Sequence, residues 1–145
     1  MKFTSKNCFE KGFLRKIPSS EKDAGEDIKT AHDWISEAEK NISSKAYRSA
    51  IISSYLAMFH SVRAVLARDG VRERSHFCMG RYLEDFYFKK GLLEGKWIEL
   101  FDYYRELRHA DQYGTKFMAT EKESGESLSV ARDFVKRISV LLKPK

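Results

Sequence analysis

Ala50-Ile51-Ile52-Ser53-Ser54-Tyr55-Leu56-Ala57-Met58-Phe59-His60-Ser61-Val62-Arg63-Ala64-Val65-Leu66 is the stretch on which the fold turns. Ala50, Ile51, Ser54, Tyr55, Met58, Phe59, Val62 and Leu66 recur at steps of three and four, the spacing of one helix face. Ala46, Ala57 and Ala64 lie nearby, where small side chains let another helix approach closely. The segment from about Lys45 to Asp69 therefore reads as a helix buried on two sides, stopped by Gly70 as glycines commonly stop helices.

The same period extends outward in both directions. Upstream, Ile28, Ala31, Ile35, Ala38 and Ile42 form the stripe of an amphipathic helix. Ser20 with Asp23 resembles a capping box, and Glu21, Asp23, Glu26 and Asp27 stand where a helix dipole favours acids. Downstream, Ser75 caps a third helix carrying Phe77, Tyr82, Leu83, Phe86 and Phe88, which ends by Gly91. A fourth helix carries Trp97, Leu100, Phe101, Tyr104 and Leu107 and ends at Gly114. Thr120 with Glu123 opens a last one bearing Leu128, Ala131, Phe134, Val135, Ile138, Leu141 and Leu142. The 125 residues between Pro18 and Pro144 contain no proline, which favours helix throughout. The expectation is an all-α, up-and-down bundle of about five helices over residues 21–145, preceded by an irregular basic arm over residues 1–20.

Charge is uneven along the 145 residues. Residues 1–20 carry five basic side chains against one acidic, 21–44 three against seven, and 45–92 nine against four. The whole chain is +6, and Arg68, Arg72, Arg74 and Arg81 lie close together in sequence. Such a surface attracts phosphate and makes binding salt-sensitive; a solvated helix surface reads the same way. No apolar run is expected to approach the length of a membrane span, and the basic N-terminus lacks the apolar core of a signal peptide. Cys8 and Cys78 make neither a disulfide framework nor a metal spacing, so two free thiols in a reduced, cytoplasmic protein are expected. Neither cysteine has an adjacent His or Asp to activate it, no histidine pair has ligand spacing and no glycine-rich phosphate loop exists, so no metal or other cofactor is expected.

One run breaks the apolar pattern: Arg105-Glu106-Leu107-Arg108-His109-Ala110-Asp111-Gln112-Tyr113-Gly114. Polar residues that interrupt a core helix weaken packing unless they serve something else. Arg105 and His109, four apart, share a helix face. Arg108 and Asp111, three apart, could simply pair and close the helix before Gly114.

Several segments together resemble the HEPN family (higher eukaryotes and prokaryotes nucleotide-binding). Ser53 through Ala64 resembles its second-helix signature, typically YYAMFHAARALL. Arg68-Asp69-Gly70 followed by Ser75-His76 is similar to the family's "G…TH/SH" junction, and Phe86 through Leu92 to its "FVKTGEL" segment. Arg108-His109-Ala110-Asp111-Gln112-Tyr113 resembles the R-x-x-ADY element, and the helix through Ala131 and Phe134 the closing one. The resemblance covers roughly residues 22–142. It implies a helical bundle that forms a homodimer and acts with a minimal nucleotidyltransferase protein as toxin and antitoxin. Many members are metal-independent ribonucleases with an R-x4–6-H motif, in which the arginine holds phosphate and the histidine moves protons. Others bind nucleotide without catalysis.

Here the ribonuclease motif is degenerate. Five positions after Arg108 stands Tyr113, where nuclease members carry histidine, and only three residues separate Arg105 from His109. A tyrosine, ordinarily titrating near pH 10, is a poor base at neutral pH. The expectation is therefore a protein that binds RNA or nucleotide through Arg108, Asp111, Tyr113, Arg63 and His60, with Tyr113 a candidate acceptor for modification by the nucleotidyltransferase. The rival expectations are an active endoribonuclease using Arg105, Arg108 and His109, and a non-catalytic interaction module. His76 reads as a ring bonded to loop backbone after a helix cap, and His32 as a surface residue.

Overall fold

The computed structural model describes residues 2–114 and 119–143. Its elements are α1 (Ser5–Glu10), β1 (Leu14–Lys16), α2 (Glu21–Ser43), α3 (Tyr47–Asp69), β2 (Val71–Glu73), α4 (His76–Leu83), α5 (Gly95–Tyr113) and α6 (Glu121–Val140). A π-helical turn, Glu84–Phe88, continues α4. The fold is all-α, and the two strands are only three residues each. Pro144, one of the two prolines bounding the helical span, lies outside the described residues.

α3 is the central element and packs against α2, α5 and α6. Fourteen of its side chains are buried, so both faces inferred from its sequence are covered. Tyr55, Phe101 and Phe134, all fully buried, form a continuous aromatic column through α3, α5 and α6 at centroid separations of 5.6 and 5.9 Å. Burying each such ring contributes about 2–3 kcal/mol. α3 is also long and apolar enough to cross a membrane by length and composition, contrary to the expectation, but 78% of its most apolar window is buried inside the bundle.

The caps form as their chemistry requires. Ser20 Oγ accepts from the Asp23 amide at 3.0 Å, Ser75 Oγ from that of Cys78 at 3.3 Å, and Thr120 Oγ1 from that of Glu123 at 3.1 Å. Gly70 ends α3 at φ +79, the left-handed region open to glycine, and a Cβ there would meet the Ile17 carbonyl oxygen at 2.8 Å.

The N-terminal arm departs from expectation. It is not irregular: it supplies α1 and β1, raising the helix count to six among the described residues. β1 pairs antiparallel with β2, setting Leu14 opposite Glu73, and the Leu14 side chain is buried. The Ser5 amide donates to Asp85 at 3.0 Å. The cysteines are not free either: Cys8 on α1 and Cys78 on α4 form a disulfide across 70 positions, with Cα atoms 5.9 Å apart. The disulfide removes the argument from free thiols to a reducing compartment.

Candidate functional site

The polar run on α5 faces the first turn of α4. A pocket of about 440 Å³ opens between them, lined by His76, Phe77, Arg105, Arg108 and His109 among others. Arg105 and His109, four apart on one helix face, both line it.

His76 is the member that sequence reasoning placed wrongly. Its ring does not serve a loop: it stacks on Phe59 at 4.3 Å, and Tyr55 of α3 lies 2.9 Å from its Nδ1. Burial pushes the Tyr55 phenol upward, so the phenol keeps its proton and donates to Nδ1. The Arg108 guanidinium, 3.5 Å from the same nitrogen, is also a donor. With two donors converging on Nδ1, the neutral ring carries its proton on Nε2. Burial first, then the positive charges of Arg108, Arg105 and Arg63, lowers the His76 pKa to about 4. The ring is therefore neutral at physiological pH and offers an N–H to an acceptor.

Both arginines are held in place. Arg108 lies over the Tyr55 ring at 5.0 Å and donates to Gln112 Oε1 at 2.8 Å. Its partner is not Asp111, so the reading of Arg108 and Asp111 as a capping pair fails. Arg105 stands 3.6 Å from Asp102 and over the Phe77 ring at 5.2 Å. Arg81 approaches the same ring at 4.6 Å and binds Asp102 at 2.6 Å, so Phe77 lies against two guanidinium groups tied to one carboxylate.

Four other anticipated residues sit elsewhere. Asp111 is buried, lines none of this pocket, and neither carboxylate oxygen has a hydrogen-bond partner among the described residues. Burial raises its pKa to about 6, with Glu123 adding to the rise and Arg48 opposing it. Tyr113, 62% exposed, stands against His109 at 4.7 Å at the end of α5. His60 is bonded to Asp27 at 3.2 Å and meets the edge of Phe59, while Arg63 pairs with Glu73 at 3.3 Å and lines a separate acidic hollow with Asp23 and Glu26. The acids at the start of α2 and in β2 thus engage the two α3 residues that were expected to bind ligand. Among the described residues, no three His, Cys, Asp or Glu side chains converge as a metal site needs.

The architecture is that of a small helical domain whose central helix backs a cationic, aromatic-walled pocket. The sequence model of the HEPN domain matches residues 25–141, and the chain belongs to that family. It is also 28% identical over 116 residues to a Methanocaldococcus jannaschii protein named "Putative toxin MJ0605", covering 80% of this chain and 86% of that one.

Proposed function

We propose that this protein binds RNA or a nucleotide in the pocket between α4 and α5, as the toxin-like half of a pair with a minimal nucleotidyltransferase protein. The observation that carries the reading is the convergence of Arg105 and Arg108 with a neutral His76 against Phe59 and Tyr55. Guanidinium groups meet phosphate oxygens with charge-assisted hydrogen bonds. The toxin reading draws support from the name of the archaeal relative and the partner from the family resemblance. A homodimer, which would present two such pockets, belongs to the same reading.

The exposed Tyr113 is the acceptor we assign for that partner. Its phenolic oxygen would attack the α-phosphorus of a nucleoside triphosphate. Pyrophosphate leaves, and the phenolic proton passes to solvent. A nucleotidyl group there would stand beside His109, which lines the pocket.

A second reading, metal-independent endoribonuclease, rests on His109 lining the same pocket as Arg105 and Arg108. His76 is a weak candidate for the base because its low pKa leaves little affinity for a proton at neutral pH.

Fluorescence anisotropy with a labelled single-stranded RNA oligonucleotide tests the reading. Binding should weaken as salt rises, and Arg108→Ala should reduce affinity about tenfold or more. Unchanged affinity in that variant would remove Arg108 from the site. Cleavage that His109→Ala abolishes would favour the nuclease.

A further inference from the structure

Apart from the cationic pocket, the surface holds a trough of about 660 Å³. Its walls are the end of α3, the π-helical turn and the end of α6, and it shares no lining residue with the α4–α5 pocket. Phe86, Leu92 and Val140 line it and stay 37%, 41% and 49% exposed. Three large apolar side chains left in water at one place mark a surface that something covers.

The trough floor is built for rigidity. Asp69 accepts from Tyr82 at 2.9 Å and from Tyr87 at 2.5 Å, and Arg68 donates to Tyr87 at 3.0 Å and to the Leu141 carbonyl. A satisfied polar network of this kind fixes three helix ends relative to each other. The π-helical turn sets Phe86 against Tyr82 at 4.6 Å, and such turns recur at functional sites.

Charge identifies the occupant. Among the described residues Asp69 is the only acid lining the trough, and it is already engaged by two tyrosines and Arg68. Lys90, lying over Phe86 at 5.4 Å, and Lys143 have no ion-pair partner among the described residues. A second copy of this chain docked here about a two-fold axis would put two sets of Arg68, Lys90 and Lys143 into one interface, which disfavours self-association. We propose that this trough is the docking site for an acidic amphipathic helix of another polypeptide. Its large apolar side chains would enter between Phe86, Leu92 and Val140, and its carboxylates would meet Lys90 and Lys143. The inference does not depend on RNA binding at the other pocket.

The test is fluorescence anisotropy of the full chain with a labelled helical peptide of about fifteen residues carrying Leu and Phe at every third or fourth position among Glu. Two counterparts replace every Glu by Lys, or every Leu and Phe by Ala. The acidic apolar peptide should bind at least about tenfold tighter than either. The double charge reversal Lys90→Glu with Lys143→Glu, at exposed positions that leave the helical circular-dichroism signal intact, should invert the preference toward the Lys peptide. Amide shifts on binding should centre on Phe86, Leu92 and Val140. The proposal is overturned if the acidic peptide binds no better than its counterparts or if charge reversal leaves the preference unchanged. Shifts centred on the His76 pocket would overturn it too, as would a self-associated species in sedimentation that Val140→Asp dissociates.

Discussion

Protonating His76 should loosen the fold at mildly acidic pH. An imidazole in the unfolded chain takes up its proton near pH 6.5, whereas in the fold His76 resists until about pH 4. Because its folded pKa is depressed, its contribution to stability is present in full above pH 6.5 and is lost as pH falls toward 4. At full value the difference is about 3 kcal/mol; water still reaches the half-buried ring, so about 2 kcal/mol is expected. Urea denaturation at a series of pH values, on the wild type and His76→Gln, isolates the effect. At pH 7 the wild type should be the more stable, since the variant lacks the stack on Phe59 and the bond from Tyr55. The gap should narrow by about 2 kcal/mol between pH 7 and pH 4. A gap constant to within about 0.5 kcal/mol across that range would refute the reasoning, as would an NMR titration placing His76 near its ordinary value. An RNA oligonucleotide bound between Arg105 and Arg108 would offset their repulsion of the protonated ring, so the His76 titration should move upward in its presence.

Other perturbations follow from the same geometry. Asp111 works with the opposite sign: its folded pKa is raised to about 6, so it favours the fold at low pH and that contribution is lost as pH rises through 6. Asp111→Asn should therefore stabilise the protein by about 1–2 kcal/mol at pH 7 and little at pH 4, again read by urea denaturation; a loss at pH 7 would contradict this. The Cys8–Cys78 link closes a loop of about 70 residues, so Cys8→Ser with Cys78→Ser should cost up to about 4 kcal/mol, and adding reductant should lower the wild-type thermal midpoint in the same direction. Gly70→Ala should destabilise by more than about 1 kcal/mol, because the new Cβ meets both an unfavourable φ of +79 and the Ile17 carbonyl oxygen at 2.8 Å; a neutral result would show that the α3–β2 junction relaxes.

The difference between what was legible in the sequence and what was not follows the range of the interactions. The period of three and four in α2, α3 and α6, and the caps at Ser20, Ser75 and Thr120, depend on neighbours within one or two turns, and each is recovered in the structure. α1 and β1 escape notice because short elements gain little stability alone. They persist through partners far along the chain: β2 across a three-residue ladder, Asp85 at a separation of 80, and Cys78 at 70.

The candidate site shows the same division more sharply. Helical spacing puts Arg105 and His109 on one face, and both line the pocket. Spacing does not say what stands opposite, so it could not separate Arg108, which faces Tyr55 and His76, from Asp111, which turns into the interior beyond reach of the pocket. Nor could it single out His76, whose tautomer is set by a tyrosine 21 positions away. Gly80 makes the point in reverse. On α4 alone it looks like a weak helix former, but a Cβ there would come within 2.9 Å of Asp102 Oδ1 on α5. That carboxylate holds Arg81 at 2.6 Å and stands 3.6 Å from Arg105. The small residue on one helix and the acid on the other therefore act together to place an arginine of the pocket, a relation that neither helix's sequence contains by itself.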